Sequence, residues 1–174
     1  MGSDGQRRQR LFAEAREAHS AAITRLANAV ERDADKARDL DQDIQIALWR
    51  SLDGFAGNCS LATWTYRVAH NVAASHAARG ARSASLVTLD AIDTLPGGDD
   101  PERTVGEAQL LARLHTLIQT LRIDDRSVIL LYLEGLTASA IAEVTGLSAS
   151  HVGVKIHRIK AVLARHFALG KQHD

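Results

Sequence analysis

TASAIAEVTGLSASHVGVKIHR, residues Thr137–Arg158, divides into a short helix, a glycine turn and a second helix with a basic, polar outer face. Ile141, Leu147 and Val152 are apolar where two crossing helices must touch, and Ala142 is small where their backbones approach. Gly146 stands where the turn needs a residue tolerant of positive φ. Ser148 is placed to cap the second helix. That helix offers Val152, Ile156, Ile159 and Leu163 to the core at helical spacing. Its other face shows Ser150, His151, Lys155, His157, Arg158 and Lys160, a cationic, hydrogen-bonding surface of the width that enters a DNA major groove. A packed helical hairpin with no DNA role has the same apolar pattern, so the rest of the chain must decide.

Working outward, both prolines, Pro96 and Pro101, lie in one stretch with Gly97, Gly98, Asp99 and Asp100, the signature of a flexible acidic linker. Before it, three helical stripes are expected: Leu11, Ala15, Ala22, Leu26 and Val30; then Leu40, Ile44, Leu48, Leu52 and Phe55; then Leu61, Trp64, Val68 and Val72. After it, Leu111, Leu114, Leu117 and Leu121 form a fourth stripe, and Val128–Leu133 belongs to a fifth helix ahead of the helix-turn-helix. No strand signal stands out. The expectation is an all-α chain of two small helical domains, 1–83 and 107–174, joined by a linker over 84–106.

Net charge is zero over 174 residues, yet it is unevenly spread. Gly54–Leu89 holds three Arg and no acid, Asp90–Glu107 holds six acids and one Arg, and Ala108–Asp174 holds eight Lys/Arg against five Asp/Glu. Basic patches parted by an acidic spacer suit selective contact with a polyanion. The lone Cys59 excludes an internal disulfide and fits a reducing cytoplasm. No apolar core follows the first residues, as a secretory signal would require, and the bulky run Val128–Leu133 is too short to span a bilayer, so no membrane insertion is expected. Eight histidines show no zinc-like spacing with each other or with Cys59, so no metal and no cofactor is expected. No nucleophile, base and orienting group converge, and no phosphate-binding glycine loop occurs, which argues against an enzyme.

Two further segments carry the reading. Asp39, Gln42 and Asp43 with Leu48 and Trp49 form an acidic face with an aromatic at its end; a solvated face is the ordinary explanation. The helix Ser60–Arg82 presents Tyr66, Arg67, His70, Asn71 and Arg79 away from its apolar stripe, with Trp64 placed in the core. Such a surface pairs with phosphates and stacks on exposed bases.

Together these segments resemble the bacterial sigma-70 family. LRIDDRSVILLYLEGLTASAIAEVTGLSASHVGVKIHRIKAVL is similar to region 4, and DLDQDIQIALWRSLDGFAGNCSLATWTYRVAHNVAASHAAR is similar to region 2. Their order, the short linker and the lack of a region 3 domain resemble the small extracytoplasmic-function (ECF) group. The resemblance implies a sigma factor that binds core RNA polymerase and directs it to promoters, with no chemistry of its own. It implies that Asp39, Gln42, Asp43, Leu48 and Trp49 grip the clamp coiled coil of the largest subunit. It assigns −10 DNA, read as an opened strand, to Asn58, Ser60, Tyr66, Arg67, His70, Asn71 and Arg79, with the loop Gly54–Ser60 admitting a base. It assigns duplex −35 DNA to Ser148, Ser150, His151, Lys155, His157 and Arg158. It further implies contact with the flap of the second-largest subunit, a linker threading a polymerase channel, and an anti-sigma protein as regulator. The chain departs from common family patterns at Ser75, His76 and Ala77, and at Gly153–Val154. The rival reading is a stand-alone helix-turn-helix regulator acting without polymerase, which would need neither the acidic face nor the aromatic-basic helix.

Overall fold

The computed structural model describes residues 3–80 and 106–169; the linker residues 84–105, with both prolines, lie outside the described residues. Seven helices are found there and no strand, as the periodicity predicts: α1 Ser3–Val30, α2 Ala34–Ser51, α3 Leu61–Gly80, α4 Glu107–Thr120, α5 Ile123–Leu133, α6 Ala138–Thr145 and α7 Ala149–Leu169. A single 3-10 turn, Leu52–Gly54, extends α2.

The second stripe is buried along its whole length: Leu40, Ile44, Leu48, Leu52 and Phe55 point into a bundle formed with α1 and α3. Each fully buried leucine or isoleucine contributes about 1.5–3 kcal/mol relative to exposure. Asp33 starts α2 by accepting from the amides of Asp35 and Lys36, and these bonds hold its carboxyl below the usual range. In the C-terminal half, Thr137 caps α6 through the Ala140 amide, and Gly146 closes it at φ 76°. That left-handed backbone is nearly free for glycine and costly for a side chain. Ser148 then accepts from the His151 amide to open α7. Ile141, Val152, Ile156 and Ile159 are buried as their spacing requires.

The third stripe departs from expectation. Leu61, Trp64, Val68 and Val72 are only half-buried, whereas Thr63, Thr65, Tyr66, Ala69 and Ala73 are buried. The reason is a second neighbour. One side of α3 packs on α1 and α2, and another receives α6 and α5 of the C-terminal half. The two halves share cores: Ala22 and Tyr66 cluster with Val128, Leu131, Ile141 and Val144, and Ala29 clusters with Ile118, Leu121 and Ile129.

Polar groups stitch the same seam. Arg126 is buried, and its guanidinium donates to the carbonyls of Ala29, Val30, Gln119 and Leu121 at 2.6–3.2 Å, closing the C-terminal ends of α1 and α4 together. Burial pushes its pKa down to about 10, still charged at neutral pH. Arg25 clasps Glu134 with two bonds of 2.6 and 2.7 Å, and Gln119 donates to the Asn28 carbonyl at 2.7 Å.

Candidate nucleic-acid and polymerase interface

The face of α2 between positions 39 and 50 is built from residues one turn apart. Asp39, Gln42, Asp43 and Arg50 are exposed along it, and in their midst Ile46 is 41 % exposed. Ile46 escaped the sequence reading; its signal was an aliphatic side chain one turn from both Gln42 and Asp43. Leu48 corrects the expected set. Its side chain is wholly buried against α1, so it supports the face from behind and offers no surface to a partner. Trp49 is half-buried, with Phe12 edge-on at 5.2 Å and the Arg8 guanidinium 4.4 Å from its ring centre. Arg8 is itself held by Asp53 at 2.6 Å, so α1 fixes the indole at the rim of the acidic face.

The loop before α3 is anchored by Phe55, which is buried edge-on to Trp64 at 5.5 Å, with its carbonyl taking a 2.7 Å bond from Arg7. Trp64 Nε1 donates to Ser51 at 3.0 Å, which holds this half-buried indole against the edge of the bundle core. Between these anchors Ala56, Gly57 and Asn58 are exposed, and Gly57 takes φ 79°. Ser60 is exposed but engaged: its hydroxyl accepts from the Thr63 amide at 3.0 Å and so caps α3.

The expected strand-reading residues on α3 separate into two groups. Asn71 and Arg79 are exposed. Tyr66 is only 8 % exposed, its ring set against Leu131 and Val144 and 5.0 Å from the ring of His19. Burial raises its pKa. Arg67 Nε donates to the Glu143 carbonyl of α6 at 3.2 Å. His70 faces Ser127, Leu130 and Leu131 across a cavity of about 20 Å³, and burial lowers its pKa against a smaller opposing pull from Asp124. An open aromatic-basic surface at Tyr66, Arg67 and His70 is therefore not what this conformation presents. Periodicity on α3 alone could not reveal this, because the covering element lies more than 70 residues away.

The departures at Ser75 and His76 have structural work. His76 Nε2 lies 3.1 Å from Glu31 at the end of α1, and Ser75 donates to the Asn71 carbonyl at 2.8 Å. On α7, Ser150, His151, His157 and Arg158 are exposed on the outer face, with Gly153 and Val154 among them. Ser148 is spent on the cap. Lys155 bends inward to the buried Asp125 of α5, so it is a half-buried ion pair in this conformation. Among the described residues no group of His, Cys, Asp and Glu gathers as a metal site, and no helix is long and apolar enough to cross a membrane.

A protein that only bound an operator would gain nothing from an acidic stripe with an isoleucine at its centre and a tryptophan at its rim. Such a stripe suits a protein partner, and its coupling to a helix-turn-helix defines a DNA-reading subunit of a larger assembly. The comparisons agree. Residues 16–83 match the family described as sigma-70 region 2, and residues 111–163 match sigma-70 region 4. Over 140 residues the chain is 33 % identical to the RNA polymerase sigma-H factor of Pseudomonas aeruginosa, covering 75 % of this chain and 72 % of that one. It is 25 % identical over 142 residues to RNA polymerase sigma factor YlaC of Bacillus subtilis, covering 80 % and 82 %. It is 26 % identical over 154 residues to the ECF RNA polymerase sigma factor SigE of Mycolicibacterium smegmatis, covering 85 % and 60 %. The fold is shared with CnrH, solved in complex with the cytosolic domain of CnrY (TM-score 0.67, 24 % identity, 95 % of each chain). It is shared too with RpoE of Bartonella quintana, solved with the anti-sigma factor NepR (TM-score 0.67, 18 % identity, 90 % and 96 %). The chain belongs to the sigma-70 family of RNA polymerase sigma factors, a family of transcription initiation subunits and not of enzymes.

Proposed function

We propose that this sigma factor docks on the clamp coiled coil of core RNA polymerase through the α2 face Asp39, Gln42, Asp43, Ile46 and Trp49, and reads promoters at two separate sites. The exposed stripe carries the reading: carboxylates pair with arginines of a basic coiled coil, and Ile46 and Trp49 supply the apolar anchor. Leu48 acts from behind by fixing the helix. The outer face of α7, with Ser150, His151, His157 and Arg158, enters the major groove at the −35 element. The loop at Asn58 and the α3 residues Tyr66, Arg67, His70, Asn71 and Arg79 take the opened −10 strand. Ser60 and Ser148 serve these sites by capping the helices that carry them.

The second-largest-subunit flap is the partner proposed for the C-terminal domain, residues 107–174, and residues 84–106 are its tether to region 2. One structural neighbour, RpoE of Bartonella quintana, was solved with the anti-sigma factor NepR, and an anti-sigma protein is the partner proposed here. The site of action is the cytoplasm, where polymerase and promoter DNA reside. A pull-down with purified core enzyme tests the docking face. Replacing Asp43 and Ile46 together by Ala and Ser weakens capture at least about tenfold while the isolated chain keeps its helical circular dichroism, since both side chains are exposed. Unchanged capture rules out the α2 face as the clamp contact.

A further inference from the structure

We infer that Val154, at the centre of the outer face of α7, reads the C5-methyl group of a thymine in the −35 element. This rests on the reading that α7 enters the major groove there, and adds which feature of a base the middle of its face meets.

Val154 follows the buried Val152 by two residues, just over half a turn, so its side chain points directly away from the core stripe Val152, Ile156 and Ile159. It is 55 % exposed and, among the described residues, the one large apolar side chain that α7 leaves to solvent. Ser150 lies one turn before it and Arg158 one turn after, with His151 and His157 on its flanks, all of them exposed. Lys155, the next residue, is turned to Asp125 and leaves Val154 uncovered. An isolated apolar side chain on a surface ordinarily calls for no explanation. This one is ringed by hydrogen-bonding and cationic groups that suit a nucleic acid, at the point of the helix farthest from the core.

Base edges in the major groove offer hydrogen-bond donors and acceptors, which valine cannot answer, and one methyl group, that of thymine, which it can. A side chain as short as valine reaches that methyl only where the helix lies close to the bases. Gly153 permits the approach. Its backbone is not left-handed, and a Cβ there would meet nothing within 4 Å, so neither φ nor packing within the chain requires a glycine at this point of a helix. The bare backbone beside Val154 leaves space for the groove.

Holoenzyme reconstituted from core polymerase and the full chain, parent or Val154→Ser, is titrated against fluorescent promoter duplexes carrying the −35 motif that the parent selects. In each duplex one −35 thymine, on either strand, is replaced by deoxyuridine, which lacks the methyl and keeps every hydrogen-bonding edge. The expected result is a position at which the parent loses about three- to fourfold in affinity, the worth of one buried methyl group. At that position deoxyuridine costs Val154→Ser nothing further, and the variant binds the thymine duplex about as weakly as the parent binds the deoxyuridine one. Helical circular dichroism is unchanged, since the side chain is exposed. Equal losses for parent and variant overturn the proposal. So does a parent indifferent to deoxyuridine throughout the element, or a selected motif with no A·T pair. A duplex with a scrambled −35 element then separates the causes. Lost affinity there leaves α7 as the reader and removes only the Val154 contact, whereas unchanged affinity removes the −35 assignment of α7 itself.

Discussion

Arg126 joins three helices through one side chain. Its guanidinium serves four carbonyls at the ends of α1 and α4, groups that have no intrahelical partner of their own. Methionine at this position keeps the stem and removes every donor, leaving those carbonyls buried and unpaired. Arg126→Met is expected to lower stability by about 2–4 kcal/mol, read as a fall in the urea midpoint at constant slope. The sequence concealed this role: Arg126 sits between an acidic pair and an apolar run and looks like an ordinary surface cation. Lys155 and Arg158 show the converse. Their spacing places both on the recognition helix, yet only the fold reveals that Lys155 turns to Asp125 while Arg158 is exposed. Arg158→Ala should relax preference at one −35 position, since a bidentate arginine–guanine contact is worth about 1–3 kcal/mol of discrimination. Lys155→Ala should instead lower stability, because it strands a buried carboxylate, and leave the selected motif unchanged. Selection of −35 sequences together with denaturation separates the two outcomes.

At the scale of the helix, legibility followed the number of neighbours. The stripe on α2 was readable because one face packs and the other is solvated, and the α6–α7 turn was readable because Gly146 and two caps mark its limits. Helix α3 was misread because it packs on two sides, and small residues such as Ala69 and Ala73 bury there without an amphipathic signal. Gly153 is an exposed interior position of α7 where a Cβ would meet nothing within 4 Å. Gly153→Ala is therefore expected to stabilise α7 by about 1 kcal/mol, read as a raised thermal midpoint. The α1–α3–α5 seam carries a pH dependence. Burial lowers the pKa of His70 and of His19 below 6.5, with Asp124 and Glu134 opposing in part. Both prefer to be neutral in the folded chain, so the unfolded chain binds more protons. The folded chain is then most stable above about pH 6.5 and weakens as pH falls below it, until both histidines are protonated in the folded chain too. Replacing both histidines by Gln flattens this response in denaturation series across pH 5–8; an unchanged slope would place the titrating groups elsewhere.

For the whole molecule, the sequence was enough for the all-α architecture and for the order of the two regions, because each carries its own local pattern. What it did not contain was their mutual packing, which depends on Tyr66, Arg25, Glu134 and Arg126 meeting across long stretches of chain. Together the two halves act as the promoter-reading subunit of RNA polymerase. The most direct measurement is run-off transcription with purified core enzyme on a library of promoter templates, with and without this protein. Transcripts are expected that require both components and start downstream of one shared pair of −35 and −10 motifs. Duplex binding by the protein alone, with no core-dependent transcript from any template, would contradict it.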